Sequence, residues 1–344
     1  MSALHAPSQL LLRQQQLLPE GPLLVINGPD PELSQSLSIG ASWNWHAGYH
    51  QAWLRQAGQH HFGAEPPLLA ADQINAAILY LPKEKALADM VFVALAATLK
   101  SGTPLFIVGE NRGGIKSIHK RMPEFLQTAQ KIAVGHHCVL LASAIDAAQH
   151  FQLDDFIRWC ELDQPGHVEP LRLASFPGVF AYPSIDAGSA MLLEHLPQWQ
   201  QGRVLDFACG HGVLGAWLQR NSSALTVDYL DVSALALAAT TRTLAAQQLT
   251  GTLIAQDGLA AEQGQYKYIV SHPPFHTGLA TDYKIGAEFL KQSRQHLERG
   301  GELWLVANRF LPWPELLEQV FGRFERVAQD NKFAVYRAIH EVRR

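Results

Sequence analysis

Short apolar runs alternate with longer amphipathic stretches through the second half of the chain. The runs predict strands at Arg203–Ala208, Ala224–Leu230, Gly251–Ala255, Tyr266–Ser271 and Glu302–Ala307. The stretches between them predict helices through Trp217, from Ser233 to Leu249, and up to Gly300-Gly301, with Ser233 as an N-cap and the two glycines as a C-terminal stop. This alternation predicts a parallel, doubly wound α/β sheet.

The C-terminal end breaks the alternation. Residues Phe324–Ala328 and Phe333–Ile339 flank the polar stretch Gln329–Lys332, which predicts a tight turn between two strands rather than a crossover. A terminal hairpin places an antiparallel last strand in a seven-stranded sheet. That plan is typical of class I methyltransferases, whereas nicotinamide-binding domains normally keep all strands parallel.

The first half of the chain repeats this plan in degenerate form. Ala77–Pro82 followed by a helix and Leu105–Arg112 parallels Ile269–Pro274 followed by a helix and Leu303–Arg309. The first loop, 27–30, has one glycine and a proline, so it lacks the close backbone approach of a cofactor loop. We therefore predict two tandem Rossmann-like methyltransferase domains, of which the N-terminal one has lost cofactor binding.

Two chain-breaking segments predict the domain boundary. Asp163–Gly166 is followed closely by Phe176–Phe180, with prolines and glycines in both. We expect a degenerate domain over 1–165 for RNA docking or folding support, a linker that covers the cofactor over 166–188, and a catalytic domain over 189–344.

Composition excludes several classes of protein. The 344 residues are 47% hydrophobic and 17% charged, without an apolar run of membrane-spanning length or a secretory signal, so we expect a cytoplasmic protein. The three cysteines are isolated and the histidines have no metal-ligand spacing, so no metal site is expected. With a net charge of −4, nucleic acid would have to bind a local patch. The candidates are Arg112, Lys116, Lys120 and Arg121, which equally fit a solvated helix face.

One candidate site starts at the segment Val204–Gly212. Its strand runs into a small-residue turn in which Ala208, Gly210 and Gly212 let the backbone approach a ligand. Asp206 can meet an ammonium group directly or through water. These features fit the methionine end of S-adenosylmethionine, and equally an ordinary strand–helix turn.

Further acids end the next two strands. Asp231, with Val232 beside it, can accept both ribose hydroxyls of S-adenosylmethionine or of NAD. Asp257, next to Gly258, can accept a hydrogen bond from an adenine amino group, or it is an ordinary turn aspartate. A nicotinamide dehydrogenase would need a GxGxxG turn here.

The discriminating segment is Ser271-His272-Pro273-Pro274-Phe275. Methyltransferases that act on amino groups conjugated to a ring often carry Asn/Asp/Ser-Pro-Pro-Phe/Tyr there. The amine's lone pair is delocalised, so acceptors must hold its hydrogens while an aromatic ring stacks on the planar group. Pro273 and Pro274 stiffen the loop and Phe275 is the stacking candidate; Ser271 is assigned to the cofactor side.

The chain resembles a known family nearly end to end. The resemblance rests on these two segments and on Pro177–Phe180, Asp186 with Gly188-Ser189, Val108–Arg112, Val306–Asn308 with Phe310–Pro312, and Tyr336–Ile339. Together they resemble the bacterial guanine-N2 methyltransferases of 16S rRNA. The resemblance implies methylation of an exocyclic guanine amine in the assembled 30S subunit, with S-adenosylmethionine as cofactor, no DNA or membrane partner, and a monomer. The 23S rRNA enzyme of the same architecture and a non-catalytic ribosome-binding scaffold are the alternatives.

His272 is a departure from this family, whose motif begins with Asn. A carboxamide oxygen accepts a hydrogen bond at any physiological pH, whereas imidazole accepts only when neutral and through one nitrogen. We expect neutral His272 to replace Asn as the acceptor, so that methylation falls below about pH 6.5, the unperturbed histidine value. The alternative is that His272 points away and the Pro273 carbonyl suffices.

Overall fold

The chain forms two compact units in the computed structural model, which describes residues 4–69, 73–274 and 280–341. The units are Met1–Ile157 and Arg158–Arg344. This division lies earlier than the expected boundary at 165, and the expected linker 166–188 falls inside the second unit, where it contains a strand.

The first unit is built on a mixed sheet. Its strands are β1 Leu23–Ile26, β2 Ile39–Asn44, β3 Gln59–Phe62, β4 Ala76–Tyr80, β5 Pro104–Glu110, β6 Gln130–Gly135 and β7 Cys138–Ala144. Its helices are α1 Ala6–Arg13, α2 Ala47–Trp53 and α3 Lys85–Thr98. Within the described residues the sheet has seven strands in the order β3-β2-β1-β4-β5-β7-β6.

The second unit begins with the two-stranded pair β8 and β9 and continues into its own sheet. Its strands are β8 Arg158–Leu162, β9 Leu171–Ser175, β10 Gly202–Phe207, β11 Leu225–Asp231, β12 Thr252–Ala255, β13 Tyr266–Ser271, β14 Leu297–Asn308, β15 Phe324–Gln329 and β16 Phe333–Ile339. Its helices are α4 Ala187–His195, α5 Val213–Asn221, α6 Ala234–Ala246, α7 Ala280–His296 and α8 Trp313–Phe321. The main sheet runs β12-β11-β10-β13-β14-β16-β15 over the described part of the chain, the same order as in the first unit.

The terminal hairpin is confirmed. β16 pairs antiparallel with both β14 and β15, whereas β10 to β14 pair in parallel. The Asp330 carboxylate shapes the turn by accepting the backbone N–H groups of Lys332 at 2.7 Å and Phe333 at 2.6 Å. An aspartate that closes its own turn in this way favours a hairpin over a crossover.

Both faces of the second sheet are covered, which explains its continuous apolar strands. Val204 in β10 and Val270 in β13 face one cluster with Leu214 of α5. Their neighbours Leu205 and Ile269 face the other cluster, which includes side chains of α7 and α8. Successive side chains of each strand therefore point into two different apolar layers, rather than alternately into the core and into solvent.

The pair Gly300-Gly301 does not end the preceding helix. α7 ends at His296, and β14 already begins at Leu297, which is fully buried and pairs with Tyr266. Burial of Leu297 fixes the start of the strand, and Gly300, with φ of 72°, turns the backbone within it. Ser233 does cap α6 as predicted, accepting from the Ala236 N–H.

The loop after β1 shows why the first unit lacks a cofactor turn. The Trp53 indole donates to the Gly28 carbonyl at 2.7 Å, and a Cβ on Gly28 would lie 2.5 Å from Val25 Cγ1. The Asp30 carboxylate accepts from the His5 backbone N–H at 3.0 Å. The Gly28 carbonyl and the Asp30 carboxylate are therefore bonded within the fold.

Among the described residues, no helix is both long enough and apolar enough to cross a bilayer.

We predict that Gly215→Ala destabilises the second unit. A Cβ at Gly215 would lie 2.3 Å from Cε1 of Tyr229, a fully buried ring whose hydroxyl donates to Gln219 at 2.8 Å. Overpacking of this kind costs about 1–3 kcal/mol, which outweighs the gain in helix propensity of about 1 kcal/mol. Urea unfolding of the intact chain measures the loss.

The matched control is the double variant with Tyr229→Leu, which removes the opposing ring atoms. The free energy of unfolding lost by Gly215→Ala should be smaller in the Tyr229→Leu background than in wild type. An unchanged free energy of unfolding in Gly215→Ala would contradict the close packing of α5 on β11.

Candidate functional site

The carboxyl ends of β10, β11 and β13 meet at one edge of the second sheet and border a cavity of about 430 Å³. This volume lies within the range of about 300–1,000 Å³ for small-molecule sites. Eight of the residues singled out in the sequence belong to its lining: Ala208, Gly210, Asp231, Val232, Asp257, Gly258, His272 and Pro274.

The turn after β10 brings backbone to the cavity. Ala208, Gly210 and Gly212 have φ of 56°, 57° and 78°, a conformation that favours glycine and that Ala208 adopts at a cost. A Cβ on Gly210 would meet no atom within 4 Å. Space is therefore left beside this backbone, as a ligand that approaches the turn requires.

Asp231 ties this turn to the next strand. One of its oxygens accepts the Gly210 N–H and the other accepts the Ser233 N–H, both at 2.9 Å. Burial raises the pKa of Asp231, and its backbone hydrogen bonds oppose the rise. The carboxylate thus lies at the cavity with its orientation fixed from two sides.

The far wall of the cavity comes partly from α7, which the sequence analysis did not assign to the site. Ile285, Glu288, Phe289 and Gln292 line it at helical spacing. Gln292 also accepts the Leu259 N–H at 2.9 Å, next to Asp257-Gly258. No apolar stripe marks this wall in the sequence, because Glu288 and Gln292 are polar and Ile285 is exposed.

Four predicted site residues lie behind the lining. Asp206 is fully buried and accepts the Gly215 N–H at 2.9 Å, while burial raises its pKa to about 8. Ser271 donates to the Phe207 carbonyl at 2.8 Å, and Gly212 is the N-cap of α5. Pro273 is buried beside Pro274. These residues support the cavity from beneath.

His272 is held by the start of α4. Its Nδ1 lies 3.0 Å from Ser189 Oγ and 3.4 Å from Asp186 Oδ1. The rings of Phe180 and Phe333 meet the imidazole edge to face, with centroids at 5.1 and 5.8 Å. His272 is 8% exposed, so the ring is enclosed except at the cavity.

Residues 178–180 cover the cavity from the segment that precedes α4. His211, from the turn after β10, contacts this segment through a hydrogen bond with the Ser184 backbone. Burial lowers the pKa of His211 to about 4, although that hydrogen bond opposes the shift. The neutral imidazole of His211 therefore links the turn after β10 to the segment that covers the cavity.

The basic patch in the first unit is divided. Lys116 lines a cavity of about 580 Å³ with His119, Lys131 and His137. Arg121 instead pairs with Asp89 at 2.5 Å, and Arg112 and Lys120 are exposed. The structure therefore puts one of the four predicted cations, Lys116, beside this cavity.

Phe275 lies outside the described residues. Among the residues that are described, no group of three or more His, Cys, Asp or Glu side chains is arranged to hold a metal ion.

Comparison with known proteins matches both units to one family of domains. Residues 8–159 match the N-terminal methyltransferase small domain and residues 170–337 match the methyltransferase small domain. The chain is 42% identical to ribosomal RNA small subunit methyltransferase C of Pseudomonas entomophila over 96% of its own length and 98% of that protein. The corresponding protein of Pseudomonas putida strain W619 is 41% identical with the same coverage.

A solved structure shares the fold over nearly the whole chain. A 16S rRNA N2 methyltransferase of T. thermophilus, in complex with AdoMet and guanosine, superposes with a TM-score of 0.83 at 22% identity. The match covers 97% of this chain and 92% of the other. Two tandem Rossmann-like domains, as the sequence predicts, are thereby confirmed.

We predict that His211 makes stability fall in mild acid. Its pKa of about 4 in the folded chain lies below the value of 6.5 for an unshifted histidine, so the unfolded chain binds the proton first. This contribution is complete above pH 6.5 and is lost as pH falls toward 4. Between pH 7.5 and 5.0 the loss is about 2 kcal/mol.

The measurement compares the change in unfolding free energy over this range in wild type and His211→Gln. Asp206, whose raised pKa favours the folded state at low pH, is present in both proteins and cancels. Exposed His150→Gln serves as control and should keep the wild-type slope. An equal slope in His211→Gln would refute the assignment.

Proposed function

Because the chain belongs to the ribosomal RNA small subunit methyltransferase C family, we propose that its second unit methylates the exocyclic N2 amine of a guanine in 16S rRNA with S-adenosylmethionine. The observation that carries this proposal is the cavity that is lined both by the turn after β10 and by His272 and Pro274. The names of the relatives indicate RNA as the substrate. The cavity has one side that fits the cofactor and another that fits the amine.

The cofactor side fits S-adenosylmethionine in chemistry. The open space beside Gly210 suits the methionine end, and Asp231 at the end of β11 suits a ribose diol. Asp257 and Gly258 line the same cavity and suit the adenine, as do the apolar side chains of Leu230 and Val232. Asp206 contributes from behind the turn, where a nearby ammonium would favour its ionised form.

The amine side is formed by the loop after β13. His272 accepts a hydrogen bond from the guanine amine, and Pro273 and Pro274 hold the loop rigid. Phe275, from its place in the sequence, is the residue for stacking on the base. Because a rigid acceptor and a stacked base fix the amine in line with the methyl group, positioning can contribute about 7–11 kcal/mol to the lowered barrier.

When bound, S-adenosylmethionine would supply a sulfonium methyl group for transfer to the amine nitrogen. The chain's own residues orient the amine and exclude water. The segment at Gly178–Phe180 covers the cavity, and Phe207 and Phe289 make part of the lining apolar. Exclusion of water strengthens the hydrogen bond that His272 accepts.

The setting of the reaction is also part of the proposal. The substrate is the assembled 30S subunit, and the protein works in the cytoplasm as a monomer. The first unit docks the RNA through its basic residues, with Lys116 and Lys131 closest to the cavity of that unit. Exposed Arg112 and Lys120 contribute to the same patch, whereas Arg121 has a smaller role because its guanidinium is already paired with Asp89.

We predict that the protein labels 16S rRNA with tritiated methyl groups from S-adenosylmethionine. The substrates are separated 30S and 50S subunits from a strain that lacks the gene. N2-methylguanine in the 16S rRNA is the expected product. The variant Asp231→Ala, which removes the carboxylate at the ribose position, should lose S-adenosylhomocysteine binding by calorimetry and lose the label.

The same experiment distinguishes the alternatives. Label on the 50S subunit alone would indicate that the substrate is 23S rRNA. Cofactor binding without label on either subunit would mean another substrate, and the absence of both would indicate a scaffold.

We predict that charge reversal at Lys116 and Lys131 weakens binding to the 30S subunit and reduces its dependence on salt, because each lost phosphate contact lowers that dependence. Lys116→Glu/Lys131→Glu should leave S-adenosylhomocysteine affinity unchanged. The control Arg55→Glu/Lys100→Glu changes the net charge equally at exposed positions elsewhere in the first unit. Equal losses in both double variants would exclude docking through this patch.

A further inference from the structure

The contacts of His272 bear on which of its nitrogens carries the hydrogen. Asp186 Oδ1 lies 3.4 Å from Nδ1, and an ionised carboxylate can only accept. Ser189 Oγ, at 3.0 Å from the same atom, can donate or accept. Both neighbours are satisfied when Nδ1 carries the hydrogen. The lone pair of the neutral ring then lies on Nε2.

The orientation of the ring is fixed by packing. A Cβ on Gly188 would lie 2.9 Å from Cε1 of His272 and 3.0 Å from Cδ1 of Phe333. The close approach of α4 at Gly188 therefore limits rotation of the imidazole. Asp186 is fixed too, because the same oxygen that faces Nδ1 caps α4 by accepting the Gly188 N–H at 2.7 Å.

The charges around His272 are of two kinds. At the start of α4 the facing group is Asp186, and in the turn before β16 the Lys332 ammonium lies 4.6 Å from the Phe333 ring centroid. Asp231, Asp257 and Glu288 line the same cavity as His272. Asp186 is the carboxylate paired with the imidazole, so it has the largest effect on a positive charge there.

We propose that Asp186 and Ser189 are positioning residues that hold His272 as the Nδ1–H tautomer, so that Nε2 accepts the proton released by the methylated amine. This inference rests on the proposed function. The amine nitrogen forms a bond to the methyl carbon, the carbon–sulfur bond electrons pass to sulfur, and the N–H electrons return to nitrogen as the proton moves to Nε2. Asp186 stabilises the resulting imidazolium until the proton passes to solvent.

This role differs from that of an asparagine at the same place. A carboxamide oxygen can hold the amine but is too weakly basic to take its proton, whereas a neutral imidazole does both. The Asp–His contact then orients the ring and stabilises its charged form, as a carboxylate does for a histidine base in hydrolases.

Nuclear magnetic resonance of ¹⁵N-histidine-labelled protein tests the tautomer without the RNA. Spectra are recorded with S-adenosylhomocysteine near neutral pH, and His272→Asn assigns the signals. The expected result is a protonated Nδ1 and an unprotonated Nε2 in wild type, with a mixture in Asp186→Asn/Ser189→Ala. An Nε2–H tautomer in wild type would overturn the proposal.

Single-turnover methyl transfer to 30S subunits tests the proton transfer. Wild type should lose rate toward acid, and Asp186→Asn should move the midpoint of that loss to lower pH by about one to three units. Asn preserves the cap of α4, since it is as good an N-cap as Asp. In the His272→Asn background the acid loss should disappear, and Asp186→Asn should change nothing further.

Equal effects of Asp186→Asn in wild type and in His272→Asn would reduce Asp186 to a structural cap and overturn the proposal. A wild-type protein that binds S-adenosylhomocysteine but methylates no 16S rRNA would refute the proposed function. The tautomer measurement still decides whether Asp186 and Ser189 fix His272 in that case.

Discussion

The hydrogen bond from the Gly210 N–H to Asp231 is the contact on which the candidate site depends. It joins the turn after β10 to the end of the neighbouring strand β11, and the same carboxylate also holds the first turn of α6 through Ser233. Parallel strands bring their carboxyl ends to one edge but do not by themselves fix the loops there. Asp231 supplies that constraint, and the left-handed turn residues keep the backbone open beside it.

The two units show how little of a function the fold itself carries. Both have the strand order 3-2-1-4-5-7-6 within the described residues, and both turn left-handed after their first central strand, at Asn27 and at Ala208. β2 ends at Asn44 where β11 ends at Asp231, and the Trp53 indole bonds the Gly28 carbonyl. The first unit keeps the scaffold, but its Gly28 carbonyl is bonded within the fold and Asn44 brings no carboxylate to the place that Asp231 has in the second unit.

The sequence predicts local chemistry well and tertiary contact poorly. The alternation of apolar runs, the hairpin at Asp330 and the acid at the end of β11 each depend on a short stretch of chain, and the structure has them where they were expected. The α7 wall was missed because two of its four residues, Glu288 and Gln292, are polar, so no apolar stripe marks that face of the helix. The pairing of Asp186 with His272 joins residues far apart in the chain, so no local pattern could predict it.

A histidine at position 272 makes a different demand on its surroundings from an amide. An amide presents its oxygen whatever the pH, so only its orientation has to be fixed. An imidazole presents a lone pair from one nitrogen only, so the protein must also choose the tautomer and tolerate the charged form in a buried place. Asp186 meets both demands and Gly188 leaves room for the larger ring. Histidine in place of asparagine at position 272 therefore depends on the start of α4. The effect of this replacement on the reaction is expected to act through the contact with Asp186.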